Sequence, residues 1–236
     1  MTLIDTSFDF RSDSYGKDPD IWSKTLKNYH KILWSKELPN GESFNLQDED
    51  RSSYLSFVSA NNQISLSSDS ISHSYKNVIR MKNIIQQIDP AEIESFRNLG
   101  STIGGFVIFP SKRIEGKMNI NGARGFNSKI GDRFDLTLEC IRRHYSKEAS
   151  PLDEVLNRYE NFFELFITFK NYVNFFFLND LVNSNYTKIE LFIQGQQPFS
   201  RLPFPQSVEE YGEYKSRSME FVARRNARIS ANYLLP

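Results

Sequence analysis

Eight aromatic side chains crowd positions 162–177: Phe162, Phe163, Phe166, Phe169, Tyr172, Phe175, Phe176 and Phe177. A run this rich must be buried, and burying each Phe contributes roughly 1.5–3 kcal/mol. Phe162, Phe166, Phe169, Val173 and Phe176 recur at spacings of 3 and 4 and make one helical face. Phe163, Phe175 and Phe177 fall outside that face. A helix apolar on several faces is buried on several sides. The pattern predicts a helical centre over 151–182, either two helices or one kinked near Lys170 and Asn171. A cofactor pocket or a base-stacking platform is the rival reading of the same residues. With 14% aromatics, the chain is also excluded from the disordered class.

The charge balance excludes more. Lys and Arg total 29, as do Asp and Glu. The chain as a whole is therefore no strongly basic nucleic-acid binder. Cys140 is the single cysteine, which rules out a disulfide framework. The opening residues 1–11 lack a basic start followed by an apolar run, so no secretory signal is expected. A reducing cytoplasm is the expected location, and the sequon at Asn185 is expected to go unused. The most apolar window, 172–182, is interrupted by Asn174, Asn179 and Asp180. It is well short of the ~18 apolar residues of a membrane span, so no membrane partner is expected. No repeat and no Gly/Ser linker divides the chain. One domain over 1–236 is expected, with position 127 as the place where two unlike halves meet.

The first half reads as short elements. Residues 7–11 alternate enough for a strand, on which Asp9, Arg11 and Asp13 would share a face and form a local salt bridge. Asp18-Pro19-Asp20 offers a cap. Residues 21–36 predict a helix through Leu26, Tyr29 and Leu33, and Leu38-Pro39-Asn40-Gly41 a turn. Residues 54–59 and 64–68 predict a hairpin about 60–63. Residues 75–87 predict a basic amphipathic helix, and 90–99 a second one with Pro90 at an early position. Residues 102–109 predict a buried strand with 117–120 as its hairpin partner. Further on, 129–145 predicts a helix, 186–193 a strand, 194–206 a loop, and 207–232 a helix capped by Ser207 with Glu210 three residues later. Strands without a βαβ rhythm followed by longer helices define an α+β fold: short strands and hairpins first, a Phe-rich helical core second.

The densest polar chemistry lies in 119–145. On a helix, Phe134, Leu138, Ile141 and Tyr145 share one face and Leu136 and Cys140 another. Between them run Asp132, Asp135, Glu139, Arg142 and Arg143. A charged stripe flanked by two apolar faces is expected to line a cleft or a polar interface. Three readings compete. In the structural one, Asp135 or Glu139 pairs with Arg142 or Arg143 at helical spacing. In the catalytic one, Asp135, Glu139 and His144 act as proton carriers. In the third, Asn121, Gly122, Arg124, Asp132, Arg142 and Arg143 form an anion site, with Gly122 and Gly125 bracketing Arg124 before a helix N-terminus. The NGARG string lacks the ending of a P-loop.

Elsewhere the signals are thinner. His30, His73 and His144 form no metal-ligand spacing, so no zinc site is expected. Cys140 reads as an inert core thiol. Trp34 with His30 and Lys36 reads as a packed helix end, or else as a seat for a base and its phosphate. Three basic clusters, at Arg142-Arg143, at 224–228 and at Lys76, Arg80 and Lys82, would meet phosphate if they converged.

The strings LWSKELPNG (33–41), INGARG (120–125) and DRFDLTLECIRRHY (132–145), with the Phe-rich stretch and RRNARI, resemble a family of uncharacterised bacterial proteins over nearly the whole chain. The resemblance implies one intact unit and carries no activity, cofactor or site residue. The expected function is recognition of a phosphate-bearing ligand, a nucleotide or a nucleic acid, with phosphate chemistry if there is turnover. The alternative is a regulatory or protein-interaction module, as in bacterial or phage defence. No motif identifies a cofactor.

Overall fold

The computed structural model describes residues 4–49, 55–59 and 63–233. Its sheet is an antiparallel meander of β1 (Leu46–Asp48), β2 (Leu55–Val58), β3 (Gln63–Ser70) and β4 (Phe106–Pro110), in that order. The β2–β3 hairpin matches the alternation read from sequence; its turn at 60–62 and Tyr54 lie outside the described residues. β4 is buried along its whole length. Its partner is β3, with Ser68 opposite Ile108, and not residues 117–120. The reason is local: Asn119 accepts the Gly122 amide at 2.9 Å and caps a helix there.

Helices surround the sheet. α1 (Pro19–Trp22) and α2 (Lys24–Trp34) are two helices where 21–36 reads as one. Asp18 caps the first and Ser23 the second. Residues 7–11 form turns and no strand. Asp5 and Asp9 each accept a backbone amide two residues on, and that closes turns where the alternation suggested extension. The Asp9–Arg11 ion pair forms within such a turn. Of 75–87, only a 3-10 turn at Ile79–Met81 and α3 (Lys82–Ile85) are helical. α4 (Pro90–Gly100) starts with Pro90 in its first turn under an Asp89 cap.

The chain then builds α5 (Ile120–Phe126) and α6 (Phe134–Ser146). Residues 127–133 are a loop that delays α6 by five positions, with Gly131 and Asp132 both left-handed at φ 53° and 63°. A Cβ on Gly131 would collide with Pro203 and Phe204, so the loop needs glycine there twice over. Every residue of α6 from Phe134 to Ile141 is buried, charged ones included. α6, and not the Phe-rich run, is thus the unbroken central helix of this half.

The Phe-rich run is divided into α7 (Asp153–Arg158), α8 (Glu160–Glu164) and α9 (Phe169–Phe175). The break falls at 165–168, where Ile167 is left-handed at φ 64° and Thr168 caps α9. Breaking the helix lets rings from both segments meet. Phe166 packs on Phe175 and Phe176 at 5.0 and 5.2 Å, and Phe44 reaches in to Phe175 at 5.7 Å. Residues 186–193 contribute only a bridge, Val182 to Ile189. Asn183 takes the Thr187 and Lys188 amides on its side-chain oxygen, which competes with a strand ladder.

α10 (Val208–Asn232) starts at its Ser207 cap, which accepts the Glu210 amide at 3.2 Å. It docks on the sheet through two residues of RRNAR. Asn226 bridges Gly104 N and Thr102 Oγ1, both at 2.7 Å. Buried Arg225 donates to the carbonyls of Gly104, Phe106 and Phe176. One apolar core runs from Ile4 to Ile229.

Candidate functional site

Arg124 projects from α5 into the protein, where it is wholly buried. Its Nη1 donates to Asp69 Oδ2 at 2.5 Å and to the Ser70 carbonyl at 3.3 Å. Nη2 donates to the Asp132 carbonyl at 3.0 Å and Nε to Thr137 Oγ1 at 3.2 Å. The side chain ties β3, the 127–133 loop and α6 together. Asn121 donates to Ser67 Oγ and the Ser68 carbonyl, both at 3.2 Å, and Gly122 gives its amide to the Asn119 cap.

Asp135 is sealed against Arg133 with neither side chain exposed. Arg133 also donates to the Pro203 carbonyl at 2.9 Å, and Asp135 accepts the Phe192 amide at 2.8 Å. Arg133 sits two positions from Asp135, a spacing at which helical side chains do not face each other, and so helical reasoning passes it by. The pair forms because Arg133 precedes the helix with extended backbone. Glu139 accepts from Arg142 at 2.8 and 3.0 Å and from Arg143 at 2.7 Å; Arg142 reaches on to Glu148.

The nine site residues read from sequence therefore fall in separate places. Asn121, Arg124 and Asp135 are bonded within the interior. Glu139 and Arg143 border a cleft of about 650 Å³ with the 187–198 segment and Arg217. Arg142 lies between Glu139 and Glu148. His144 lines another cleft, of about 700 Å³, with Glu148, Asp153, Glu160 and Phe163. Asp132 borders a third, of about 390 Å³, together with Gly125, Gly131, His73, Lys76 and Arg80. This third cleft is the one that opens on the glycine turn.

Of the three basic clusters, two are neutralised or buried. Arg142 and Arg143 pair with Glu139, Arg224 with Glu220 and Arg228 with Asp180, while Arg225 is buried on carbonyls. Lys76 and Arg80 are exposed and, among the described residues, form no ion pair. Arg80 stands 4.5 Å over the Phe204 ring. Asp132 is the carboxylate of this cleft, 3.1 Å from His73 Nε2 and 3.5 Å from Arg124 Nε.

Beneath β3 lies a polar chain that the sequence does not announce. The Trp34 indole N–H donates to His30 Nδ1 at 2.9 Å, and His30 Nε2 meets Ser68 Oγ at 2.9 Å. Indole nitrogen only donates, so His30 carries its proton on Nε2 and gives it toward Ser68. It cannot take the Ser68 proton, which excludes a serine nucleophile here. Ser68 bonds in turn to Asp20, whose pKa burial pushes up, helped by Asp69. Burial drives the His30 pKa down to about 3. Burial likewise raises the Cys140 thiol to about 12, leaving it an inert thiol. No group of His, Cys, Asp and Glu among the described residues could hold a metal ion.

Fold and clefts define an α+β protein with a four-stranded meander, a buried charged helix and one small cleft with a basic wall. The chain belongs to a family of unknown function, DUF6994, whose model matches residues 4–229. No curated protein and no solved structure matches it. No helix among the described residues is long and apolar enough to cross a membrane.

Proposed function

We propose that this protein recognises a phosphate-bearing ligand, a nucleotide or a short nucleic acid, in the cleft between residues 73–80 and the Gly125–Asp132 turn. The observation that carries the reading is the pair of unneutralised cations, Lys76 and Arg80, on one wall of that cleft. In a chain where most arginines have a carboxylate, a guanidinium left to an aromatic ring is available to grip an anion. A cleft of about 390 Å³ is of the size that encloses a small molecule. His73, held against Asp132, offsets the one carboxylate of the lining. Recognition fits better than turnover, because Asp135 and Glu139 are engaged by arginines and His144 opens elsewhere.

One observation favours the interaction module as a second reading. Ile79 is 90% exposed and Phe126 83%, each next in sequence to a residue of the cleft. Large exposed apolar side chains close together mark protein contacts.

Thermal shift with mononucleotides and short oligonucleotides, with and without magnesium, separates the two. A saturating ligand at 100 times its Kd adds about 2.7 kcal/mol of stability. The Lys76→Glu/Arg80→Glu variant is expected to melt close to the parent, since surface changes usually stay within about 0.5 kcal/mol. It should show no ligand-induced shift. A shift retained by the variant sinks the assignment to this cleft. A flat response of the parent to the whole panel leaves the interaction module standing.

A further inference from the structure

Lys36 takes no part in the cleft above. It follows α2 and is half-buried. Its Nζ donates to the Phe175 carbonyl at 2.7 Å. The same nitrogen stands 4.4 Å from the ring centres of both Phe175 and Phe177 and 5.2 Å from that of Trp34. Among the described residues no carboxylate pairs with it. The charge that faces it is another cation, Arg225 of α10, itself 5.7 Å from the Trp34 ring. Three aromatic rings and one carbonyl therefore surround an ammonium that has no counter-charge. Burial, with Arg225 second, brings its pKa down to about 8.

The geometry points to Lys36 as an acylation site of this protein, modified by an acyl thioester of the acetyl-CoA type. The neutral amine attacks the thioester carbonyl. A C–N bond forms, the C–S bond breaks, and the leaving thiolate takes the proton that nitrogen loses. A desolvated lysine offers more of the neutral amine than an exposed one. The product also suits the box better than the ammonium does. The amide keeps one N–H for the Phe175 carbonyl, removes a charge that no carboxylate balances, and adds an apolar methyl beside the rings.

The test uses the full chain and acetyl-CoA alone, with occupancy at each lysine read by peptide mass spectrometry from pH 7 to 9.5. At pH 7.5 Lys36 should carry about ten times the occupancy of exposed Lys24 and Lys112, since each unit of lowered pKa exposes tenfold more free amine. Its rate should level off above pH 8 while theirs keeps rising. The acetylated protein should melt no lower than the unmodified one. Occupancy at or below that of Lys24 and Lys112, a rate that climbs in parallel with theirs, or a lowered melting temperature overturns the proposal.

Discussion

Arg124→Ala lowers the melting temperature steeply. The guanidinium is fully buried and holds Asp69, the Ser70 and Asp132 carbonyls and Thr137. Removing one partner of a buried ion pair typically costs about 3–5 kcal/mol, because the other charge stays buried without compensation. For a chain of this size that corresponds to a drop of roughly 6–20 °C. Arg124→Lys should recover little of it, since an ammonium cannot span a carboxylate, two carbonyls and a hydroxyl in one plane. The double change Arg124→Met/Asp69→Leu should lose less than the two single changes added together, because it leaves no orphaned charge. Melting and urea midpoints of the four variants decide the matter. An Arg124→Ala protein that melts within a degree or so of the parent, yet no longer responds to a phosphate ligand, would make Arg124 a ligand anchor instead of a cross-link.

That contrast shows how much of the site could be read from residues alone. The string 119–145 was legible as the densest polar chemistry, and its stripe does lie between apolar faces. What periodicity cannot show is where each arginine finds its carboxylate. Asp69 is 55 residues before Arg124, on a strand whose polar side chains look like solvent-facing alternation. Arg133 pairs with Asp135 through a non-helical residue, so helical spacing hides it. Lys76 and Arg80 stand out only once the other basic clusters are seen to be neutralised.

The fold divides along the same line. Elements with a chemical start signal were legible: α4 from Asp89-Pro90, α10 from Ser207. Elements inferred from apolar pattern alone were altered by long-range contacts. Phe10 in 7–11 is an anchor against Tyr29 and Phe106, so the alternation there reports packing and not a strand. The Phe-rich run has the composition of one buried helix, but a single rod cannot bring Phe166 onto Phe175, and the left-handed turn at Ile167 makes that contact possible.

Acid should destabilise the protein from about pH 6.5 downward, and His30 is the residue expected to dominate. Its folded pKa of about 3 lies below the unfolded value of 6.5, because burial opposes the imidazolium. Between those values the unfolded chain binds a proton that the folded one refuses. The stability from neutral His30 is therefore complete above pH 6.5 and is lost as the pH falls toward 3. A difference of this size corresponds to at most about 5 kcal/mol, at about 1.4 kcal/mol for each unit. Protonation would also break the chain above and below it: Nδ1 would become a donor facing the Trp34 indole N–H. Asp20 acts in the opposite sense. Its folded pKa is raised, so its contribution is present at low pH and is lost as the pH rises through the folded value. The two groups share Ser68, and their slopes partly cancel. Asp20→Asn should thus steepen the acid loss, whereas His30→Gln should flatten it while lowering stability at pH 7.5. Urea midpoints at pH 7.5, 6.0 and 5.0 measure both. If the His30→Gln protein loses as much between pH 7.5 and 5.0 as the parent, the acid sensitivity arises elsewhere and the buried imidazole is not its source.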